Sequence, residues 1–140
     1  MKRSAQGRPL ALCLPAGRQD TIPLMQAVIL AAGHGTRMEE LTTKVPKPML
    51  DVAGKPLLEY KLEALPEGIE EVIIVVGHLS HVIKDHYKGA YQGRTLIHIE
   101  QEERNGTAGA LWAAKDVLKD KFLVLNGDDI FTAEDLKTCA

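Results

Sequence analysis

The chain has 140 residues, 45% hydrophobic and 26% charged, with a net charge of −2 and an isoelectric point near 6.2. This is enough for one domain with its own core. The charge balance excludes a bulk electrostatic nucleic-acid binder. No apolar run approaches the roughly 18–20 residues of a membrane helix, so neither nucleic acid nor membrane is an expected partner.

The first 24 residues stand apart. They hold Lys2, Arg3, Arg8 and Arg18 among Pro9, Pro15 and Pro23, and their apolar run at 10–14 is too short for a signal-peptide core. We read 1–24 as a disordered extension, with Met25 as the natural start and 25–140 as the folded part. Cys13 and Cys139 lie near opposite ends without metal-ligand spacing. They read as free thiols in a reducing, cytoplasmic compartment.

From Met25 the pattern alternates strand and helix. Residues 26–30 (QAVIL) are a strand buried on both faces. Residues 56–65 put Leu57, Leu58, Leu62 and Leu65 on one helical stripe, with Pro56 in the first turn. Residues 71–76 (EVIIVV) form a second buried strand closed by Gly77, and 80–87 a helix with Val82, Ile83 and His86 inward. An alternating strand follows at 95–99. A helix over 107–118 turns Ala110, Leu111, Ala114 and Leu118 inward. Residues 121–125 make another strand, and Thr132 caps a short helix carrying Leu136. Trp112 and Tyr60 read as core or helix-face residues. The expected fold is α/β, a Rossmann-like, mainly parallel sheet with helices on both faces.

Ligands in such sheets bind past the carboxyl ends of the strands. Three polar or glycine-rich segments fall there: 31–37, 100–107 and 126–128. In the first, the small residues Gly33 and Gly35 let backbone N–H groups approach an anion. Thr36 adds a hydroxyl, and Arg37 a guanidinium able to fork onto phosphate. Met38 stands where a dinucleotide fingerprint needs its third glycine, and no Walker Gly-Lys-Ser/Thr follows. Alone, such a turn can be purely structural. Further on, Pro46 and Pro48 bracket Lys47 and stiffen its backbone, although most loop lysines are simply solvated. Asp128, in Asn126-Gly127-Asp128-Asp129, is a metal ligand or part of an ordinary turn, with Asp129 a neighbour. The helical spacing of His78, His81 and His86 argues against a metal site.

Together, Gly33, Gly35, Thr36 and Arg37, then Pro46 and Lys47, with Gln101, Gly106-Thr107-Ala108 and Gly127-Asp128, resemble the sugar-phosphate nucleotidyltransferase family from Met25 onward. The resemblance implies transfer of a nucleotidyl group from a nucleoside triphosphate to a sugar 1-phosphate, releasing pyrophosphate. It assigns Leu30, Ala31 and Gly33 to base and ribose, and Gly35, Thr36 and Arg37 to the triphosphate. Lys47 is assigned to phosphate oxygens at the reacting centre, Gln101 and Gly106 to the base edge, Thr107 to support of that loop, and Asp128 to Mg²⁺. Arg37 and Lys47 are the expected catalytic residues.

The spacing of Gln101 and Gly106 resembles uridylyl- and thymidylyltransferases, with a pyrimidine nucleotide favoured. The stretch 106–111 also resembles guanylyltransferases. Family members are longer, so the chain is expected to be truncated before a second acidic ligand and most sugar contacts, and to turn over slowly by itself. A full-length form is a candidate homo-oligomer. Two alternatives remain: a non-catalytic nucleotide-binding or regulatory module, and a dinucleotide domain with Asp51 as its ribose-binding acid.

Overall fold

The computed structural model describes residues 25–33, 44–103 and 105–139. The extension expected over 1–24 lies outside them. The first strand, β1 (Met25–Ala31), is buried from Gln26 to Ala31. A hairpin, β2 (Asp51–Val52) and β3 (Lys55–Pro56), leads into helix α1 (Leu57–Ala64). Then come β4 (Ile69–Val76), α2 (Ser80–Tyr87), β5 (Ala90–Tyr91), β6 (Arg94–Glu100), α3 (Gly106–Ala113), β7 (Phe122–Asn126) and α4 (Ala133–Cys139).

Among the described residues the main sheet has the order β5-β6-β4-β1-β7. β1 pairs in parallel with β4 on one side and β7 on the other, and β6 runs parallel to β4. Only the short β5 is antiparallel. Side chains alternate along β1, as a pleated strand requires. Ala27, Ile29 and Ala31 join a core with Leu58 and Leu62 of α1, Ile83 and Tyr87 of α2, and Leu136 of α4. Val28 and Leu30 face the other way, toward Ala110 and Ala114 at α3. Helices thus cover both faces, as the sequence pattern predicts. Thr132 caps α4: its hydroxyl accepts from Asp135 N (3.2 Å), while the Asp135 carboxylate accepts from Thr132 N (3.0 Å).

Several details differ from the sequence reading. The helix expected over 107–118 ends at Ala113 and tightens into a 3₁₀ turn at Lys115–Val117, leaving Leu118 extended. The tightening begins where Ala114 N donates to Leu111 O (3.1 Å). His86 is exposed, not inward. Tyr87 takes the inward position one turn after Ile83, and His86 reaches Glu59 (3.3 Å). Of the two readings of Trp112, the helix face holds and the core does not: it is 67% exposed, with the Lys115 amine over its ring. Pro56 ends β3 and caps α1 rather than entering its first turn.

Two hairpins were not anticipated. Each turns on a positive-φ pair ending in glycine, Ala53-Gly54 and Gln92-Gly93, which matches the twist of tight hairpins.

Arg94, at the start of β6, fastens α1 to the sheet. Its guanidinium donates to the carbonyls of Leu62 (3.0 Å), Leu65 (3.0 Å) and Ile69 (2.9 Å). Carbonyls at a helix end lack intrahelical partners, and leaving them unpaired when partly buried is costly. We expect Arg94→Ala to lower the unfolding free energy by about 3 kcal/mol, of the order of two charged hydrogen bonds. Urea denaturation checks this; a change within about 0.5 kcal/mol, as at an ordinary surface position, contradicts it.

Candidate functional site

The strand order contains a reversal. From β1 the chain steps outward through β4 to β6, then returns to lie on the other side of β1 as β7. Right-handed crossovers in opposite directions place their helices on opposite faces. Accordingly α1 and α2 pack on one face and α3 on the other. At such a reversal the loops leaving the carboxyl ends of neighbouring strands diverge and open a crevice. That rule puts the expected ligand crevice here beyond Ala31 and Asn126.

The crevice floor is tight. Gly127 N donates to Leu30 O (2.8 Å). A Cβ on Gly127 would sit 2.4 Å from that carbonyl oxygen, so only glycine lets the two strand ends approach this closely. Leu30 and Ala31 are almost wholly buried and offer backbone to the rim, while Gly33 is exposed just beyond. Gly35, Thr36 and Arg37 lie outside the described residues.

Lys47 opens a one-turn 3₁₀ helix, Lys47–Met49, after extended Pro46 (φ −65°, ψ 148°). Pro48 and Met49 are buried and anchor the turn, so the Lys47 amine projects from a fixed base. That amine lies 3.4 Å from an Asp128 carboxylate oxygen, joining residues 81 positions apart in sequence. Asp128 is 58% exposed at its side chain and Lys47 29%. Asp129 turns away: its carboxylate accepts from Asn126 Nδ2 (3.3 Å).

Beneath this pair lies a residue that the sequence reading passed over. Lys61 of α1 is fully buried, and its amine donates to the backbone carbonyl of Asp129. Its position among Leu57, Leu58, Leu62 and Leu65 was the available signal, a charge at an apolar-stripe position. Burial pushes the Lys61 amine down to about 8, against the opposing pull of Asp129 and Asp128; Lys47 adds to the depression.

Gln101 follows β6 and bonds to Val76 O through its backbone N–H (2.9 Å). Its side-chain amide donates to Asn105 Oδ1 (2.9 Å) and Gly106 O (3.2 Å), closing the loop into α3. Gly106 has φ +80°, and Thr107 is exposed in the first turn of α3. β6 is two strands from β1, so this loop flanks the crevice about 10 Å along the rim. Among the described residues no group of three or more His, Cys, Asp or Glu forms a metal cage.

A family description, nucleotidyl transferase, matches residues 26–140. The chain belongs to the nucleotidyl transferase family.

It is 41% identical over 110 residues to the UTP–glucose-1-phosphate uridylyltransferase AglF of Haloferax volcanii, covering 78% of this chain and 45% of that protein. It is 39% identical over 108 residues to the D-glycero-alpha-D-manno-heptose 1-phosphate guanylyltransferase of Campylobacter jejuni, covering 76% of this chain and 49% of that one. A solved structure, the inositol-1-phosphate CTP transferase from T. maritima, superposes with a TM-score of 0.70 at 25% identity, covering 81% of this chain and 48% of that one. The chain spans less than half the length of each.

The dinucleotide alternative loses its acid. Asp51 belongs to the separate β2–β3 hairpin, where its carboxylate accepts from Gly54 N (2.9 Å) and closes the turn. No helix among the described residues is long and apolar enough to cross a membrane.

Lys61 makes a testable pH signature. The folded chain releases its proton near pH 8, whereas an unconstrained lysine holds it to 10.5. Between those values the unfolded state binds more protons, so stability rises with pH. Urea denaturation of the parent and Lys61→Met between pH 7.5 and 10 should show this rising component in the parent alone; parallel slopes would contradict it.

Proposed function

We propose that this nucleotidyl transferase chain is the triphosphate-binding part of an enzyme that joins a nucleoside monophosphate to a sugar 1-phosphate. The observation that carries this reading is the Lys47–Asp128 pair at the β1/β7 reversal, 3.4 Å apart. A cation and a hard oxygen donor thus lie together beside the strand-end backbone, in a chain similar to proteins named as a uridylyltransferase, a guanylyltransferase and a CTP transferase.

In the reaction an anionic oxygen of the sugar phosphate attacks the α-phosphorus. A new phosphorus–oxygen bond forms, the bond to the bridging oxygen breaks, and pyrophosphate leaves with that electron pair. The attacking group is already anionic, so no general base is required. The barrier is the approach of two anions, lowered by alignment and fixed positive charge. Lys47 holds phosphate oxygens near the α-phosphorus. Gly35, Thr36 and Arg37 hold the triphosphate, Arg37 at the departing pyrophosphate. The backbone at Leu30, Ala31 and Gly33 contacts base and ribose, and Gln101 and Gly106 read the base edge on a loop supported by Thr107.

Mg²⁺ fits the donors present. Asp128 offers an exposed carboxylate beside the Lys47 amine, and among the described residues no further acidic, His or Cys group completes a metal cage around it. That suits an ion which takes one or two carboxylates and completes its shell with phosphates and water. When bound it neutralises charge on the triphosphate. The spacing of Gln101 and Gly106, which resembles that of uridylyl- and thymidylyltransferases, favours a pyrimidine base.

We expect the chain to bind Mg²⁺ with UTP, CTP or GTP in isothermal titration and to ignore NAD. Lys47→Ala should weaken nucleotide binding about tenfold or more, and in a form that turns over it should slow pyrophosphate release by about 100-fold or more, the scale of losing one fixed charge-stabilising donor. Near-normal binding and rate in Lys47→Ala would remove the assignment. Tight binding of nucleotide without transfer in any longer form would favour a regulatory module instead.

A further inference from the structure

Lys61 is not accounted for by the transfer chemistry. It is fully buried, on the face of α1 that carries Leu58 and Leu62. Burying an ammonium is expensive unless it is well paired. A leucine or methionine would fill the same stripe without that cost. The amine's bond to the Asp129 carbonyl gives the lysine its purpose.

Asp128 sits between two backbone anchors. Before it, Gly127 N is bonded to Leu30 O (2.8 Å). After it, Asp129 O is held by Lys61. Further along, Phe131 is buried while Ile130 is exposed. The residue on each side of Asp128 is thus tied to the body of the domain, and its own carboxylate is exposed.

We propose that Lys61 is a positioning residue: by holding the Asp129 carbonyl it fixes the direction in which the Asp128 carboxylate leaves the rim, and so sets divalent-metal affinity. The proposal rests on the reading of Asp128 as a metal ligand.

Charge alone gives the opposite sign. Removing a cation near a metal site favours the incoming metal ion, whereas losing an anchor disfavours it by scattering the ligand. Outer-shell partners of metal ligands commonly matter by about 10–100-fold in affinity.

The test measures Mn²⁺ binding to the chain with saturating UTP by electron paramagnetic resonance, in the parent, Lys61→Met, Lys61→Gln and Asp128→Asn. Lys61→Met should fold, bind UTP without metal as the parent does, and lose Mn²⁺ affinity by about tenfold. Hydrogen exchange should quicken across 127–131 and stay unchanged in β1 and β4. Lys61→Gln, which keeps a donor without the charge, should fall between the two. Unchanged or tighter Mn²⁺ binding in Lys61→Met, with binding lost in Asp128→Asn, overturns the positioning role and leaves the metal reading intact. Parent-like binding in Asp128→Asn overturns both. Should Lys61→Met not fold, Lys61→Gln decides alone: parent-like metal affinity and loop exchange overturn the proposal, and a loss in both supports it.

Discussion

The pairing of β1 with β4 on one side and β7 on the other is the constraint on which the rest depends. A strand hydrogen-bonded on both edges and buried on both faces has to be apolar along its length, and 26–31 is nearly so. The exception, Gln26, satisfies its buried amide through Glu71, the Val117 carbonyl and Lys119 N, at the end of the strand away from the crevice. Because β7 returns on the opposite side of β1 from β4, the connection before it lies on the opposite face. The crevice at the carboxyl ends follows from that reversal, not from a dedicated loop.

The crevice is furnished by segments that have little else in common. A proline-bracketed turn brings Lys47, the end of β7 brings Asp128, and the middle of α1 brings Lys61 from below. Their charges alternate in sign: the half-buried Lys47 amine, the more exposed Asp128 carboxylate, and the buried Lys61 amine held by a backbone carbonyl. On the proposed reading of Asp128 as a metal ligand, such a stack keeps the carboxylate both exposed and directed, and gives the buried lysine a role that a purely apolar helix would not fill.

Much of this was legible in the sequence because the strands are continuous apolar runs and the helices carry a 3.6-residue stripe. β1, β4, β7, α1, α2 and α4 lie close to where periodicity puts them. The end of α3 was not legible, since Ala114 and Leu118 fit the stripe whether the last turn is α or 3₁₀. Nor were the hairpins at 51–56 and 90–95, because two-residue strands are too short to show alternation. Their turns were signalled only by Gly54 and Gly93. His86 and Tyr87 are both tolerable inward residues, and only the packing of α2 against the sheet chose between them. At the rim, sequence named Lys47 and Asp128 separately; their contact depends on topology. Lys61 was masked by the habit of reading lysine as solvated. The roles assigned to Gly35, Thr36 and Arg37 rest on the family resemblance, as those residues lie outside the described part of the chain.

We propose that the carboxyl ends of β1, β6 and β7 form one face that receives a metal–triphosphate. Paramagnetic broadening of backbone amide signals by Mn²⁺ with UTP tests it most directly. Gly33, Gln101 and Asp128 should broaden together while Gln26, Glu71 and Phe122, at the other end of strands about 20 Å long, stay sharp. Broadening centred on that opposite edge, or spread evenly over the sheet, would contradict it.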